Sequence, residues 1–516
     1  MNVPGTSARQ ALMAKALAIL GTGSDVGKSL VTAGLGRIFH RFGVRVAPFK
    51  SQNMSLNSFV TVEGGEMGRA QVLQAQACGL RPHVDMNPIL LKPEADRRSQ
   101  VVVQGKVWGR REAGSYFDSQ AELAHFVRQS YERLAVQYEL IVIEGAGSAA
   151  EINLRDRDIV NWPVVEMADA KVILVADIDR GGVFAQVIGT LDLLEAHERE
   201  RLLGVVINKF RGDRRLFDDG VAILEQRTGI PVLGVLPFLR DLVLDQEDSV
   251  TIEPSSTEAA FSADTVNVAV ILLPRMSNFT DFNALAAEAD VSLRYARVPE
   301  DAAGADVIIL PGSKQTSQDL HYVKEKGFAA ALASHVQARR EMVGVCGGFQ
   351  MLGKRIADPH GVEGGGQTEG LHLLPVDTEL YDADKRTVQV IANALMPGMS
   401  GMETIRGYEI HVGLTARRGG DPCFRILDEA GDREDGAVSA DGLVWGTYIH
   451  GVFDDPAFRR AWLNRVRARK GLAPRPVADS MDVTQRLTSA LDEWADHVAH
   501  HVDMRAVCQA LQLPLA

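Results

Sequence analysis

The chain has 516 residues, 24% of them charged, and a formal net charge of −12. That balance argues against generic adhesion to nucleic acid or to an anionic membrane surface, so an anionic substrate must be met by local clusters of arginine. Four widely spaced cysteines, Cys78, Cys346, Cys423 and Cys508, form no C-x-x-C pair, which excludes a disulfide framework or a cysteine-built zinc site and suits a reducing cytoplasm.

No apolar run reaches membrane-spanning length. The stretch 11–20 has the look of a signal-peptide core, but it holds Lys15 and runs straight into GTGSDVGKS at 21–29, so residues 16–20 read as a first β-strand. A helical run over 30–42 follows. Strand, glycine loop and helix form the context of a phosphate-binding loop, although five residues rather than four separate Gly21 from Gly27 and the first position of the strict pattern is Thr22. The chemistry tolerates that change. Gly23 and Gly27, flanking Asp25, free the backbone to aim N–H groups at the phosphates of ATP, Lys28 reaches the outer phosphates, and Ser29 is placed to hold Mg2+.

Apolar runs then alternate with helical stretches: VRVAP near Val46, LIVIE ending at Glu144, KVILVAD ending at Asp177, LLGVVINK ending at Lys209 and PVLGVLP ending at Pro237. Continuous apolar runs are expected of parallel strands covered on both faces, with ligands gathering at their carboxyl ends. Glu144 at such an end suits magnesium opposite Ser29, or else caps a turn. Asn208 suits a hydrogen bond to the nucleotide base, or equally a turn. Arginine-bearing segments lie between these elements, at Arg69, Arg97 and Arg98, Arg155 and Arg157, and Arg180. Together they suit a substrate with several carboxylates, because arginine pairs with carboxylate through two parallel hydrogen bonds.

The long loop GTGSDVGKS and the E-G-A-G segment at 144–147 resemble the dethiobiotin synthetase-like branch of phosphate-loop enzymes. The resemblance implies activation of a carboxylate by ATP. It also makes Glu66, in GGEMGRAQ, a further magnesium ligand, against the plainer reading of an acid favoured at a helix start.

From residue 245 the sequence turns polar and strand-poor, and a linker over 251–265 divides an ATP domain, 1–250, from a second α/β pattern over 266–473. The fold class expected is therefore α/β, with two doubly wound, mostly parallel sheets and a helical C-terminal tail over 474–516. In the second domain VNVAVILLP and DVIILPGSK read as strands, TDFNALAAEAD as a helix, and a further helix over 320–340 leads to GVCGGFQML at 344–352. There Cys346 sits between Gly344 and Gly348 on a sharp strand-to-helix turn, the nucleophile elbow with sulfur in place of a serine oxygen. Backbone N–H groups at Gly312, in PGSKQT, and at Gly347, at the helix start, suit an oxyanion hole. His450, at the end of LVWGTYI, is the expected base, with His411 its rival. In the tail, His497, His500 and His501 fall at helical spacing and read as an amphipathic face rather than a metal site.

The segment T-Y-I-H-G-V-F around His450 is similar to the histidine segment of class I glutamine amidotransferases. The resemblance implies a Cys346–His450 glutaminase. It departs from the common form at Val452, where those enzymes carry the glutamate that orients the ring, and leaves Glu409, Asp454, Asp455 or a backbone carbonyl as substitutes. KSQNMSLNS at 50–58, NPILLKP at 87–93, EGAGSAAEINLRDRDIVN at 144–161 and ADIDRGGVFAQVIGT at 176–190 resemble the glutamine-dependent amide ligases of the cobalamin pathway. That resemblance spans nearly the whole chain. It implies a cytoplasmic enzyme that uses ATP, Mg2+ and glutamine to amidate the b, d, e and g carboxylates of adenosylcobyrinic acid a,c-diamide, a corrinoid polycarboxylate, with no nucleic-acid or membrane partner. Two other readings are a different ATP-dependent glutamine amidotransferase, such as cobyrinic acid a,c-diamide synthase or the amidating complex of lipid II, and a non-enzymatic ParA-type ATPase. The last leaves the Cys346 elbow unexplained.

Overall fold

The computed structural model describes residues 14–95, 98–112, 119–239, 242, 244, 261–381, 385–399, 404–428 and 431–514. Arg97 and most of the expected linker fall outside these residues. The chain divides into two units, one formed by Met1–Ser55, Gly65–Glu247 and Leu487–Ala516, the other by Leu56–Gly64 and Asp248–Arg486.

The first unit is built on a six-stranded parallel sheet with the order Val232–Pro237, Leu202–Phe210, Lys171–Asp177, Lys15–Gly21, Leu140–Glu144 and Val46–Phe49. The apolar runs form its strands because helices cover both faces, so no side of these strands needs polar residues. Lys28–Arg41 lays Val31, Leu35, Ile38 and Phe39 into the core. Gly34 on that helix admits a close neighbour. A Cβ there would lie 2.8 Å from Trp494 Nε1 and 2.9 Å from Val498 Cγ2, and Trp494 donates to the Leu30 carbonyl at 2.6 Å. The C-terminal segment thus completes the core of the first unit. His497 bonds the Pro237 carbonyl at 2.9 Å and His501 the His497 carbonyl at 2.8 Å, which gives the histidine face a packing role.

A second sheet in this unit was not expected from the sequence. It runs Gln52–Met54, Ile89–Ala95, Arg98–Val103 and Lys106–Glu112. Gln104 and Gly105, at φ 46° and 80°, form the two-residue turn between its last two strands, where Val103 pairs with Lys106. Glu66 lies in the short strand Glu66–Gly68, and the following helix, Arg69–Ala77, begins three residues later than a helix-start acid would require.

The second unit centres on a six-stranded sheet ordered Val291–Ala296, Val266–Ile271, Val307–Leu310, Glu341–Val345, Val444–Thr447 and Ala437–Val438, with only the last pairing antiparallel. The expected helix over 320–340 is two helices, Thr316–Glu325 and Phe328–Gln337, divided at Gly327, whose φ is 82°. The TDFNALAAEAD helix shrinks to a 3-10 turn, Phe279–Phe282, and one helical turn, Asn283–Ala286. Leu56–Gly64 packs within this unit: Ser58 N–H donates to Asn278 Oδ1 at 3.1 Å, and Asn57 Oδ1 accepts from Phe279 N–H at 3.2 Å. Among the described residues no helix is long and apolar enough to cross a membrane.

Candidate active site

In the second unit the strands ending at Leu310, Val345 and Thr447 are neighbours, with Leu310 paired to Gly344 and Val345 to Thr447. Their carboxyl ends bring Gly312, Cys346 and His450 to one sheet edge. Cys346 has φ 53° and ψ −110°, a strained conformation for a residue with a side chain. The fold holds it there by close packing. A Cβ at Gly348 would lie 2.0 Å from the Leu310 carbonyl oxygen, and one at Gly344 2.7 Å from Phe349 N, while Cys346 N–H donates to the Thr447 carbonyl at 2.8 Å. Gly347 abuts the Gly312–Ser313 strand, since its Cβ would meet Ser313 N at 2.9 Å, and a Cβ on Gly312 would stand 3.3 Å from His450 Cε1. Both expected oxyanion glycines therefore lie beside the Cys–His pair.

His450 is buried, and its Nδ1 is 2.6 Å from Asp281 Oδ2, with Asp281 Oδ1 accepting from Gly451 N–H at 3.1 Å. Asp281 occupies the place of the missing orienting acid. Two of the substitutes weighed from sequence are engaged elsewhere: Glu409 pairs with Arg386 and Arg433, and Asp455 caps the helix Pro456–Lys470 through Phe458 N–H. Burial opposes a charged His450, but the Asp281 carboxylate and its hydrogen bond, with Cys346 adding to them, outweigh it and raise the imidazole pKa to about 10. The other nitrogen, Nε2, has no hydrogen-bond partner among the described residues. His411 is unsuited to the same work. Its ring stacks on Tyr448 at 3.7 Å between centroids, and burial pushes its pKa down to about 4. Tyr408 stacks on His450 at 5.2 Å and fixes its plane.

In the first unit Lys28 donates to the carbonyls of Gly23 and Gly147, at 2.8 and 2.9 Å, so the phosphate-loop lysine is held between that loop and the E-G-A-G segment. Ser29 Oγ donates to Glu144 Oε1 at 2.7 Å. Glu144 also receives Lys50 at 2.9 Å and Gln74, two partners whose importance the sequence did not reveal. Glu66 is paired with the buried Lys92. Asn208 donates to the Val26 carbonyl at 2.9 Å and accepts from Lys209 N–H at 2.8 Å, which braces the loop under Gly27. Asp25 has φ 58°, its carbonyl accepts from Lys209 at 2.5 Å, and its carboxylate is 3.5 Å from Arg180.

Among the described residues no three His, Cys, Asp or Glu side chains gather as a metal cage. A hydroxyl and a carboxylate side by side nevertheless suit Mg2+, which binds through one or two protein oxygens and completes its shell with phosphate oxygens and water. Ser29 and Glu144 provide that donor set. Beside them a cavity of about 580 Å3 is lined by Gly147 and Ser148, by Arg155 and Arg157, and by the hairpin residues Arg98 and Arg111. Arg69 and Arg180 are not on its lining.

Residues 17–252 match the model of the CobQ/CobB/MinD/ParA nucleotide binding domain, and residues 267–458 that of the CobB/CobQ-like glutamine amidotransferase domain. The chain is 46% identical to a cobyric acid synthase of Syntrophobacter fumaroxidans, covering 97% of this chain and 99% of that one. It is 49% identical to a cobyric acid synthase of Klebsiella pneumoniae (95% and 97% covered) and 48% identical to one of Salmonella arizonae (97% and 99%).

Proposed function

Because the chain belongs to the cobyric acid synthase family, we propose that it amidates the b, d, e and g carboxylates of adenosylcobyrinic acid a,c-diamide, with ATP as activator and glutamine as nitrogen source. It is a glutamine-hydrolysing ligase. The observation that carries the mechanism is the pair of preorganised centres: Cys346 and His450 with Asp281, and Lys28, Ser29 and Glu144 beside an arginine-lined cavity.

In the second unit the Cys346 sulfur attacks the side-chain carboxamide carbon of glutamine. The thiol proton resides on His450, whose Nδ1 is fixed by Asp281, leaving Nε2 to carry it. Backbone N–H groups of the Gly312 and Gly347 segments hold the oxyanion. Collapse of the tetrahedral intermediate passes the His450 proton to the departing nitrogen, which leaves as ammonia. The γ-glutamyl thioester that remains is hydrolysed by water, which gives a proton back to His450, and glutamate leaves.

In the first unit Gly23, Gly27 and Lys28 hold the phosphates of ATP, and Asp25 and Asn208 shape the loop that does so. Ser29 and Glu144 would hold Mg2+, which supplies charge neutralisation on the phosphates. A corrinoid carboxylate oxygen attacks the γ-phosphorus, ADP leaves, and ammonia displaces phosphate from the acyl phosphate to form the amide. The test separates the two nitrogen sources. Cys346→Ser should abolish amidation driven by glutamine and leave amidation driven by added ammonia. Loss of both, in a folded variant, would contradict the division of labour.

A further inference from the structure

The hairpin sheet of the first unit gives the cavity beside the phosphate loop its character. Cross-strand pairing sets Leu91 against Val101, Pro93 against Ser99 and Ser99 against Arg111. Residues paired across strands share a face, and these five all line the cavity. Met54, paired with Leu91 on the next strand of the same sheet, and Leu154, from the 3-10 turn Ile152–Arg157, are large apolar side chains left 55% and 39% exposed on this lining. Exposed apolar surface that converges on one cavity marks a binding site. Its volume falls within the range of about 300–1,000 Å3 typical of small-molecule pockets.

The charges on this lining differ in how far they are already neutralised. Arg155 is tied to Glu195 and, at 3.0 Å, to Glu198. Arg111 meets no carboxylate among the described residues. Its guanidinium lies 4.6 Å from the Trp108 ring and donates only to the Arg110 carbonyl, at 3.1 Å. Arg98 has a partial partner, since its Nε lies 3.4 Å from Glu94 without hydrogen-bond alignment, and Arg110 holds the same Glu94 at 3.1 Å. Of the two carboxylates on the lining, Asp158 accepts from the N–H groups of Val160, Asn161 and Trp162, and Glu151 is exposed. Net positive charge is therefore available at the hairpin end, while the other end is Gly147, whose carbonyl holds Lys28.

We propose that this cavity is the corrinoid site, that the apolar surface of Met54, Pro93 and Leu154 receives the macrocycle, and that Arg98 and Arg111 grip its peripheral carboxylates. The assignment rests on the function proposed above. It places the grip on the hairpin rather than on Arg155, whose charge Glu195 and Glu198 already balance. The arrangement also accounts for product release. Each amidation replaces a carboxylate with a neutral amide, so the fully processed corrinoid, with one carboxylate left, offers fewer ion-pair partners to the two arginines and is held more weakly.

The experiment titrates cobyrinic acid a,c-diamide into the full-length enzyme in the presence of ADP and Mg2+, which occupy the nucleotide site without phosphorylating the substrate, then repeats the titration with the amidated product. Arg111→Ala and Arg98→Ala should each weaken substrate binding by about ten-fold or more, the loss expected for one charge-assisted pair. The KM for ATP and the rate of glutamine hydrolysis should stay within about two-fold of the wild type, because neither reaction uses these ion pairs. Arg111→Lys, which keeps the charge and loses the planar fork, should fall between. In the wild type the product should bind more weakly than the substrate, and the two alanine variants should narrow that gap. Substrate affinity unchanged in folded, ATP-competent variants would overturn the assignment. A wild-type enzyme that neither binds nor amidates the corrinoid would instead overturn the function on which it rests.

Discussion

At the scale of single residues, the proposed glutaminase mechanism depends on how His450 is held. Asp281 holds the ring through Nδ1, and Nε2 has no hydrogen-bond partner among the described residues. Asp281→Asn keeps the shape and removes the charge, and should lower glutamine hydrolysis by about 10²-fold or more while ammonia-driven amidation continues. Linkage gives a second readout. The folded His450 pKa, about 10, lies above the ordinary 6.5, so its charged pair with Asp281 stabilises the fold fully below about pH 6.5 and loses that contribution as pH rises toward 10. Denaturant titrations should show the wild type most ahead of Asp281→Asn below neutrality and progressively less so in alkali. The places of Cys346 and His450 were legible because each follows an apolar strand and precedes a glycine, Cys346 directly after Glu341–Val345 and His450 three residues past Val444–Thr447. Asp281 could not, because it lies 169 residues from His450 in a 3-10 turn that has no periodicity of its own. Its one sequence signal is its place in the connection that follows the strand Val266–Ile271, on the side where parallel sheets collect ligands.

At the scale of elements, glycines set the distances on which both sites depend. At Gly348 an added Cβ would meet the Leu310 carbonyl oxygen at 2.0 Å, and backbone cannot swing aside as a side chain can. Gly348→Ala should destabilise the second unit by about 1–3 kcal/mol and abolish glutamine hydrolysis, as read by thermal melts and glutamate release. Glu341, fully buried, is the second fixed point. It accepts from the indoles of Trp445 and Trp462, at 2.7 and 2.8 Å, and from Arg465 at 2.5 Å, which ties the helix Pro456–Lys470 to the central sheet. Glu341→Ala strands these donors and should cost about 3–5 kcal/mol of stability. The parallel strands were legible because their runs are uniformly apolar. The hairpin sheet at 98–112 was not, because its one apolar run, Val101–Val103, is short and the polar and charged residues around it follow no period of two.

For the whole molecule, chain order and packing order differ. Leu487–Ala516 belongs to the first unit, where Trp494, Val498 and Val507 complete the core around the helix that starts at Lys28. Ending the chain after Arg486 should therefore damage ATP-dependent amidation more than glutamine hydrolysis, which parallel assays of the two reactions would measure. Sequence order had placed this segment as an appendage after the glutaminase, because an amphipathic pattern shows that a helix is covered but not by what. The central claim is that two separate chemistries serve one substrate. Its most direct measurement incubates cobyrinic acid a,c-diamide with the enzyme, ATP, Mg2+ and glutamine and follows the corrinoid mass over time. Four successive acid-to-amide changes, each dependent on ATP, are the predicted result; a corrinoid whose mass never changes while glutamine is hydrolysed would contradict the account.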